Sequence, residues 1–147
     1  MIIAVVDGMG GSIGAQIVLR LRNALPEGAD IMALGTNAIA TGNMIKAKAS
    51  RGATGENAVA YSVKDAEIIM GSLSIVVPNS MMGEVTPAIA TAVASAPGRK
   101  ILLPVSNPPL ELLGVHKRPL QYLIKEAVVL VLEHYGLPLE PEEEQGV

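Results

Sequence analysis

Asp7-Gly8-Met9-Gly10-Gly11-Ser12-Ile13-Gly14 is a run of residues whose types suit one kind of chemistry: holding an anion on backbone N–H groups. Glycines let the backbone take positive φ angles and let a ligand approach without a Cβ in the way. A helix beginning inside this run would leave the N–H groups of Gly11, Ser12 and Ile13 without acceptors, with the helix dipole behind them. The ligand expected there carries a phosphate, as a nucleotide does. A tight turn with no ligand is the alternative that the same residues allow.

Other candidates for chemistry are few. Asp7 stands where a bare carboxylate would repel phosphate, so bonding to loop N–H groups ranks ahead of metal or acid/base work. His116 lies beside Lys117 and Arg118, a setting more common on a surface than in a catalytic site. His134 falls near a helix C-terminus, where a cation is simply favourable. Cysteine is absent, which excludes disulfides, thiolate metal sites and cysteine nucleophiles. No Ser-His-Asp spacing and no metal-ligand cluster emerges, and no catalytic residue is assigned.

The spacing of the turn is Gly8-x-x-Gly11-x-x-Gly14 with Gly10 added, rather than G-x-G-x-x-G, and it resembles the loop of malate dehydrogenases. In NAD-binding sheets an acidic residue closes the second strand and holds the ribose hydroxyls. Here the second strand, Ile31-Met32-Ala33-Leu34, closes with Gly35-Thr36-Asn37, which offers neither a carboxylate nor an arginine. Thr36 and Asn37 suit helix N-caps first and ligand hydroxyls second. If a dinucleotide binds, this neutral rim predicts weak discrimination between NAD and NADP. The cofactor-binding set is therefore Gly8, Met9, Gly10, Gly11, Ser12, Ile13 and Gly14, with Gly35, Thr36 and Asn37; no metal site is expected.

The elements that must position these residues follow from periodicity. Ile2-Ile3-Ala4-Val5-Val6 reads as a strand buried on both faces of a parallel sheet. Ile13, Ile17, Val18, Leu21 and Leu25 then fall on one helical stripe, ended by Pro26 and Gly28. A helix is expected over 38–49 and a loop over Arg51–Asn57. A third strand follows at about 58–63, then a fourth at Ile68-Ile69-Met70 ending at Gly71-Ser72. On that topology the Arg51–Asn57 loop lies at the edge opposite the glycine turn, which gives Arg51 and Glu56 structural or subunit-contact roles ahead of catalysis.

Lys64-Asp65-Ala66 is too short for the crossover between parallel strands that this reading needs. Residues 72–82 suit either strand or a short buried helix. Thr86-Pro87 is a strong helix start, with an N-cap before proline at the first position. Lys100–Val105 is the fifth strand, and Ser106-Asn107-Pro108-Pro109 at its end is again similar to malate dehydrogenase, although that family's substrate arginines have no counterpart. Leu112-Leu113-Gly114-Val115 is expected as a sixth strand. Leu120, Leu123, Ile124, Ala127, Val128 and Val131 mark a last helix, closed by Gly136 and Pro138.

Composition bounds the rest. The 147 residues suffice for one domain with a substantial core. Charged residues make up only 17% against 50% hydrophobic, which points to a homo-oligomer, most simply a dimer. A net charge of −3, with three tyrosines and no Phe or Trp, argues against nucleic acid as a partner. No apolar run is long enough to span a membrane, and Met1 leads straight into the first strand, so a cytoplasmic location is expected.

Four segments, taken in order, resemble a bacterial family of short Rossmann-like proteins catalogued only as a domain of unknown function. They are Val6-Asp7-Gly8-x-Gly10-Gly11, Gly35-Thr36-Asn37-Ala38, Ala53-Thr54-Gly55-Glu56-Asn57-Ala58 and Asn79-Ser80-Met81-x-Gly83-Glu84-x-Thr86-Pro87. The resemblance covers the chain to about residue 135, implies the fold, and makes Thr54, Glu56 and Asn57 part of a family signature. It brings no assigned activity.

The expected protein is thus a single-domain, doubly wound, mostly parallel α/β sheet of Rossmann-like type. Residues 1–137 form a nucleotide-binding domain and 138–147 an acidic, mobile tail. Its partner is a small phosphate-bearing ligand: NAD or NADP, in an oxidoreductase with Asp7, Glu56 or His116 as acid/base candidates, or another nucleotide. The alternative is a non-catalytic ligand sensor or a regulatory or structural subunit of an oligomer.

Overall fold

The computed structural model describes residues 1–105 and 110–139. Ten main elements alternate in the order β1 (Ile2–Asp7), α1 (Ser12–Ala24), β2 (Asp30–Gly35), α2 (Ala38–Lys46), β3 (Arg51–Thr54), α3 (Glu56–Ser62), β4 (Ile68–Ser72), α4 (Pro87–Ser95), β5 (Arg99–Leu103) and α5 (Leu120–His134). All strand pairs are parallel, and the sheet order is β3-β2-β1-β4-β5. The chain is a doubly wound α/β protein of Rossmann-like type.

The side-chain alternation of the strands divides the core into two layers. Ile3 and Val5 of β1 face one side with α1, α2 and α5, where Ile17, Val18, Leu21, Met44, Ile124, Val128 and Val131 close over them. Ala4 and Val6 face the other, beneath Val59 of α3, Val63 in the 3-10 turn that follows it, and Ile89 and Val93 of α4. Burial on both faces is why β1 needs an uninterrupted apolar run.

Two strand expectations are corrected. The third strand is Arg51–Thr54, and 58–63 belongs instead to α3 and the 3-10 turn Val63–Asp65. Val59 and Val63, four residues apart, are the fully buried residues of that stretch, which is a helical face rather than an alternation. This helix is the crossover that the parallel step to β4 requires, so the shortness of Lys64-Asp65-Ala66 no longer conflicts with the topology. The second correction concerns Leu112-Leu113-Gly114-Val115. It forms no strand; it is an exposed turn, with Gly114 at φ 78° and Leu113 almost wholly in solvent.

The first correction also moves the edge. Gly35 pairs with Thr54 in register, and the Gly55 N–H donates to the Gly35 carbonyl at 2.9 Å. Thr54 and Gly55 therefore lie at the same carboxyl edge as the glycine turn, not opposite it. Arg51 begins β3 at the amino edge, where it pairs with Asp30 at 2.9 Å.

α2 ends at Lys46, before 49, because Lys48 takes a positive φ of 79°. Leu73–Val76 is a 3-10 turn, which resolves the ambiguous segment after β4. Thr86 caps α4 as expected, its hydroxyl accepting from the Ile89 N–H. Ser106-Asn107-Pro108-Pro109 and the tail from Glu140 lie outside the described residues. Among the described residues, no helix is long and apolar enough to cross a membrane.

Candidate functional site

The sheet reverses its winding between β1 and β4, since β2 and β3 extend to one side of β1 and β4 and β5 to the other. Ligands of doubly wound sheets bind beyond the carboxyl ends of the strands at such a switch point. A cleft of about 200 Å³ lies there, lined by Asp7 through Ile13 and by Ser72, Ser74, Met81 and Val105. The sequence-predicted turn is thus one wall of this cleft.

Asp7 builds the turn. Its side chain is 6% exposed. Oδ1 accepts from the Gly8 N–H at 2.8 Å and Oδ2 from the Gly14 N–H at 2.7 Å. One carboxylate thereby ties the end of β1 to the first turn of α1. Burial pushes the Asp7 carboxyl above its ordinary value, opposed by the bonds from Gly14 and Gly8, while the Glu84 charge adds to the rise. Bracing, the first-ranked role for Asp7, is what these bonds do.

The glycines serve different ends. Gly11 has φ 71°, and a Cβ there would come within 2.7 Å of the Ala40 backbone. A Cβ on Gly14 would meet Met44 Sδ and Asp7, so glycine lets α1 lie against both. A Cβ on Gly10 would meet nothing within 4 Å. Packing therefore requires glycine at 11 and 14 and does not require it at 10.

Four of the turn's N–H groups are already engaged: Gly8 and Gly14 by Asp7, Met9 by Glu84, and Gly11 by the Gly8 carbonyl at 2.9 Å. This corrects the expectation of a free donor at Gly11, whose N–H closes the turn on itself. The N–H groups of Ser12 and Ile13, the first two of α1, take no acceptor among the described residues, and both residues line the cleft.

Gly35, Thr36 and Asn37 stand at the end of β2 as expected. Gly35 packs beneath Thr41, which leaves no room for a Cβ. Asn37 is the N-cap of α2, its Oδ1 accepting from the Ala40 N–H at 2.9 Å. Its amide nitrogen donates to the Met9 carbonyl at 3.0 Å. Thr54, from the edge strand, donates to the Thr41 hydroxyl at 2.8 Å and so ties β3 to α2.

The residue that sequence reasoning did not foresee is Glu84. With Thr36 and Asn37 it is not part of the cleft lining, but it is bonded to Met9, which is. Its Oε1 accepts from the Met9 N–H at 3.0 Å, the Thr36 hydroxyl at 2.8 Å and the Asn37 amide at 2.7 Å. Burial pushes this carboxyl up, but the bonds from Thr36, Asn37 and Met9 outweigh it and hold the group below its ordinary value. The rim at the end of β2 is therefore not neutral: a carboxylate reaches it from the loop between β4 and α4. That loop holds three successive left-handed residues, Met81, Met82 and Gly83. Ser80 anchors it, its buried hydroxyl donating to the carbonyls of Ser74 and Val77. Glu84 does lie within one of the four segments that carry the family resemblance, which was the only signal for it.

His116 is not in this cleft. With Lys117 and Arg118 it lines a neighbouring hollow of about 340 Å³ near the ends of β4 and β5, which shares Val105 with the first. Glu56 is exposed at the start of α3. Neither bonds to the turn among the described residues. Among the described residues, no group of three or more His, Cys, Asp or Glu side chains could hold a metal ion.

Comparison with known families matches residues 2–136 to a domain of unknown function (DUF3842). Among solved structures, the chain is similar to a dodecameric FMN-dependent Ubix-like decarboxylase from Escherichia coli O157:H7. The identity is 14% and the TM-score 0.47, over 99% of this chain and 98% of that one. No curated protein matches the sequence.

Proposed function

The chain belongs to the family described as a domain of unknown function (DUF3842), and from its own site we propose that it binds a nucleotide or dinucleotide with a phosphate on the first turn of α1. The observation that carries this reading is the pair of N–H groups at Ser12 and Ile13, which take no acceptor among the described residues and belong to residues that line the cleft at the switch point. Two adjacent donors at the positive end of a 13-residue helix are a ready anion site. Gly10 supports it, because a glycine that packing does not need leaves the backbone open to close approach.

NAD or NADP is the dinucleotide form of this reading, and hydride transfer its enzymatic form. The engagement of Asp7 and Glu84 favours a second form, a ligand-binding role without chemistry. Both carboxylates at the turn hold backbone and side chains in place rather than standing free as acid or base. Self-association is also proposed, on the low charge content and on exposed apolar residues such as Ile39, Met82 and Leu113. Light scattering giving the mass of a single chain would remove that part.

Ser12→Asp is the test of the phosphate. Ser12 is exposed at the first position of α1, so an acidic side chain there should raise stability slightly, by about 0.3–1 kcal/mol. The same charge would repel a phosphate. ADP and NAD at millimolar concentration should raise the wild-type Tm and leave that of Ser12→Asp unchanged. Equal shifts in both proteins, or no shift in either, would overturn the reading.

A further inference from the structure

We infer that Glu84 makes the site select a ribonucleotide whose 2′ and 3′ hydroxyls are both free, an inference that rests on the nucleotide-binding reading above. In NAD-binding sheets the selecting carboxylate closes the second strand. This chain has Gly35-Thr36-Asn37 there and brings the carboxylate from elsewhere. Glu84 arrives from the loop before α4, and Thr36 and Asn37 act as its supports.

The arrangement leaves one oxygen free to act. Three donors converge on Oε1 and fix the carboxylate in position, whereas Oε2 accepts no hydrogen bond among the described residues. A fixed, ionised oxygen at the end of β2 accepts from hydroxyl donors and repels a phosphate. Thr36 and Asn37 cannot reverse this preference, because their side-chain donors are already engaged by Oε1 and, for Asn37, also by the Met9 carbonyl. The first cation after them, Lys46, stands at the far end of α2. Among the described residues no cation pairs with Glu84, so a 2′-phosphate would meet an uncompensated carboxylate, and a deoxyribose would leave the acceptor without one of its donors. This replaces the weak discrimination that a neutral rim would give.

A carboxylate that merely braced the turn would alter stability and the affinity of every ligand alike, without changing the ratio between two ligands. Calorimetric titration of the full chain with NAD, NADP, ADP and 2′-deoxy-ADP separates the two roles. Hydrogen bonds to a charged acceptor predict that NAD outcompetes NADP, and ADP outcompetes 2′-deoxy-ADP, by about tenfold or more. Glu84→Gln retains an oxygen for Met9, Thr36 and Asn37 and removes the charge. In that variant the NAD to NADP ratio should fall to about threefold or less.

If all four ligands bind wild type with similar affinity, the selectivity role of Glu84 falls and the phosphate turn stands. The same holds if Glu84→Gln keeps the wild-type ratio. If none binds at millimolar concentration, both readings fall together. Should Glu84→Gln fail to fold, the comparison of ADP with 2′-deoxy-ADP on wild type decides by itself: a ratio near one overturns the inference.

Discussion

The hydroxyl of Thr36 donates to Oε1 of Glu84 at 2.8 Å, joining residues 48 apart in sequence. Thr36 directly follows β2, and Glu84 lies in the loop that follows β4, so this bond spans the carboxyl edge across β1. It turns a strand end without charge into a carboxylate site, and it connects the turn at Met9 to both neighbours of β1.

The first prediction concerns the glycines. Gly11→Ala places a Cβ against the Ala40 backbone at a positive φ, so it should cost about 2 kcal/mol or more. Gly10→Ala meets open space and should stay within about 0.5 kcal/mol of wild type. Denaturant unfolding of the two variants checks the contrast. Equal losses at both positions would mean that the turn is held in a different conformation.

The second concerns protonation. Glu84 is held below its ordinary value of 4.5, so its bonds contribute stability above that pH. The contribution is lost as pH falls through the folded value. Wild type and Glu84→Gln should therefore differ most near neutral pH and converge in acid. Asp7 runs the other way. Its raised value means that the folded state keeps this proton longer than the unfolded chain, so its own contribution declines as pH rises above 3.8. Removing the Glu84 charge should lower the Asp7 pKa, which the pH titration of the Gly14 amide resonance reports. An unchanged Asp7 titration would show that the two carboxylates do not interact.

The third concerns the loop that delivers Glu84. Met82 is 95% exposed and has φ 56°, a conformation that a methionine side chain disfavours. Asparagine tolerates it better, so Met82→Asn should raise stability by about 0.5–1 kcal/mol. A measured loss in thermal unfolding would mean that the Met82 side chain makes contacts in solution that outweigh its backbone strain.

Much of the scaffold was legible locally. β1 needed only its unbroken apolar run, because a strand covered on both faces has no polar side to reveal. α1 and α5 showed their stripes, and α4 its Thr86-Pro87 start, because each is a signal contained within a few turns of chain. The glycine turn was legible as well, and so was Asp7 as its brace, since the acceptor and its donors at Gly8 and Gly14 lie within eight residues.

What the tertiary structure decided was everything that depends on strand order. β3 is a short, largely exposed edge strand paired only with β2, so Arg51-Gly52-Ala53-Thr54 carries no apolar pattern to announce it. Leu112-Leu113-Gly114-Val115 has the composition of a strand and pairs with none among the described residues. Glu84 is an ordinary acidic residue in a loop until β4 is laid beside β1 and the loop turns back over Gly8. Its three donors come from two other loops, and no periodicity within the segment that carries it encodes their approach. Local pattern reports which face of an element is buried; hydrogen bonds between distant loops arise only when the sheet brings their strand ends to one edge.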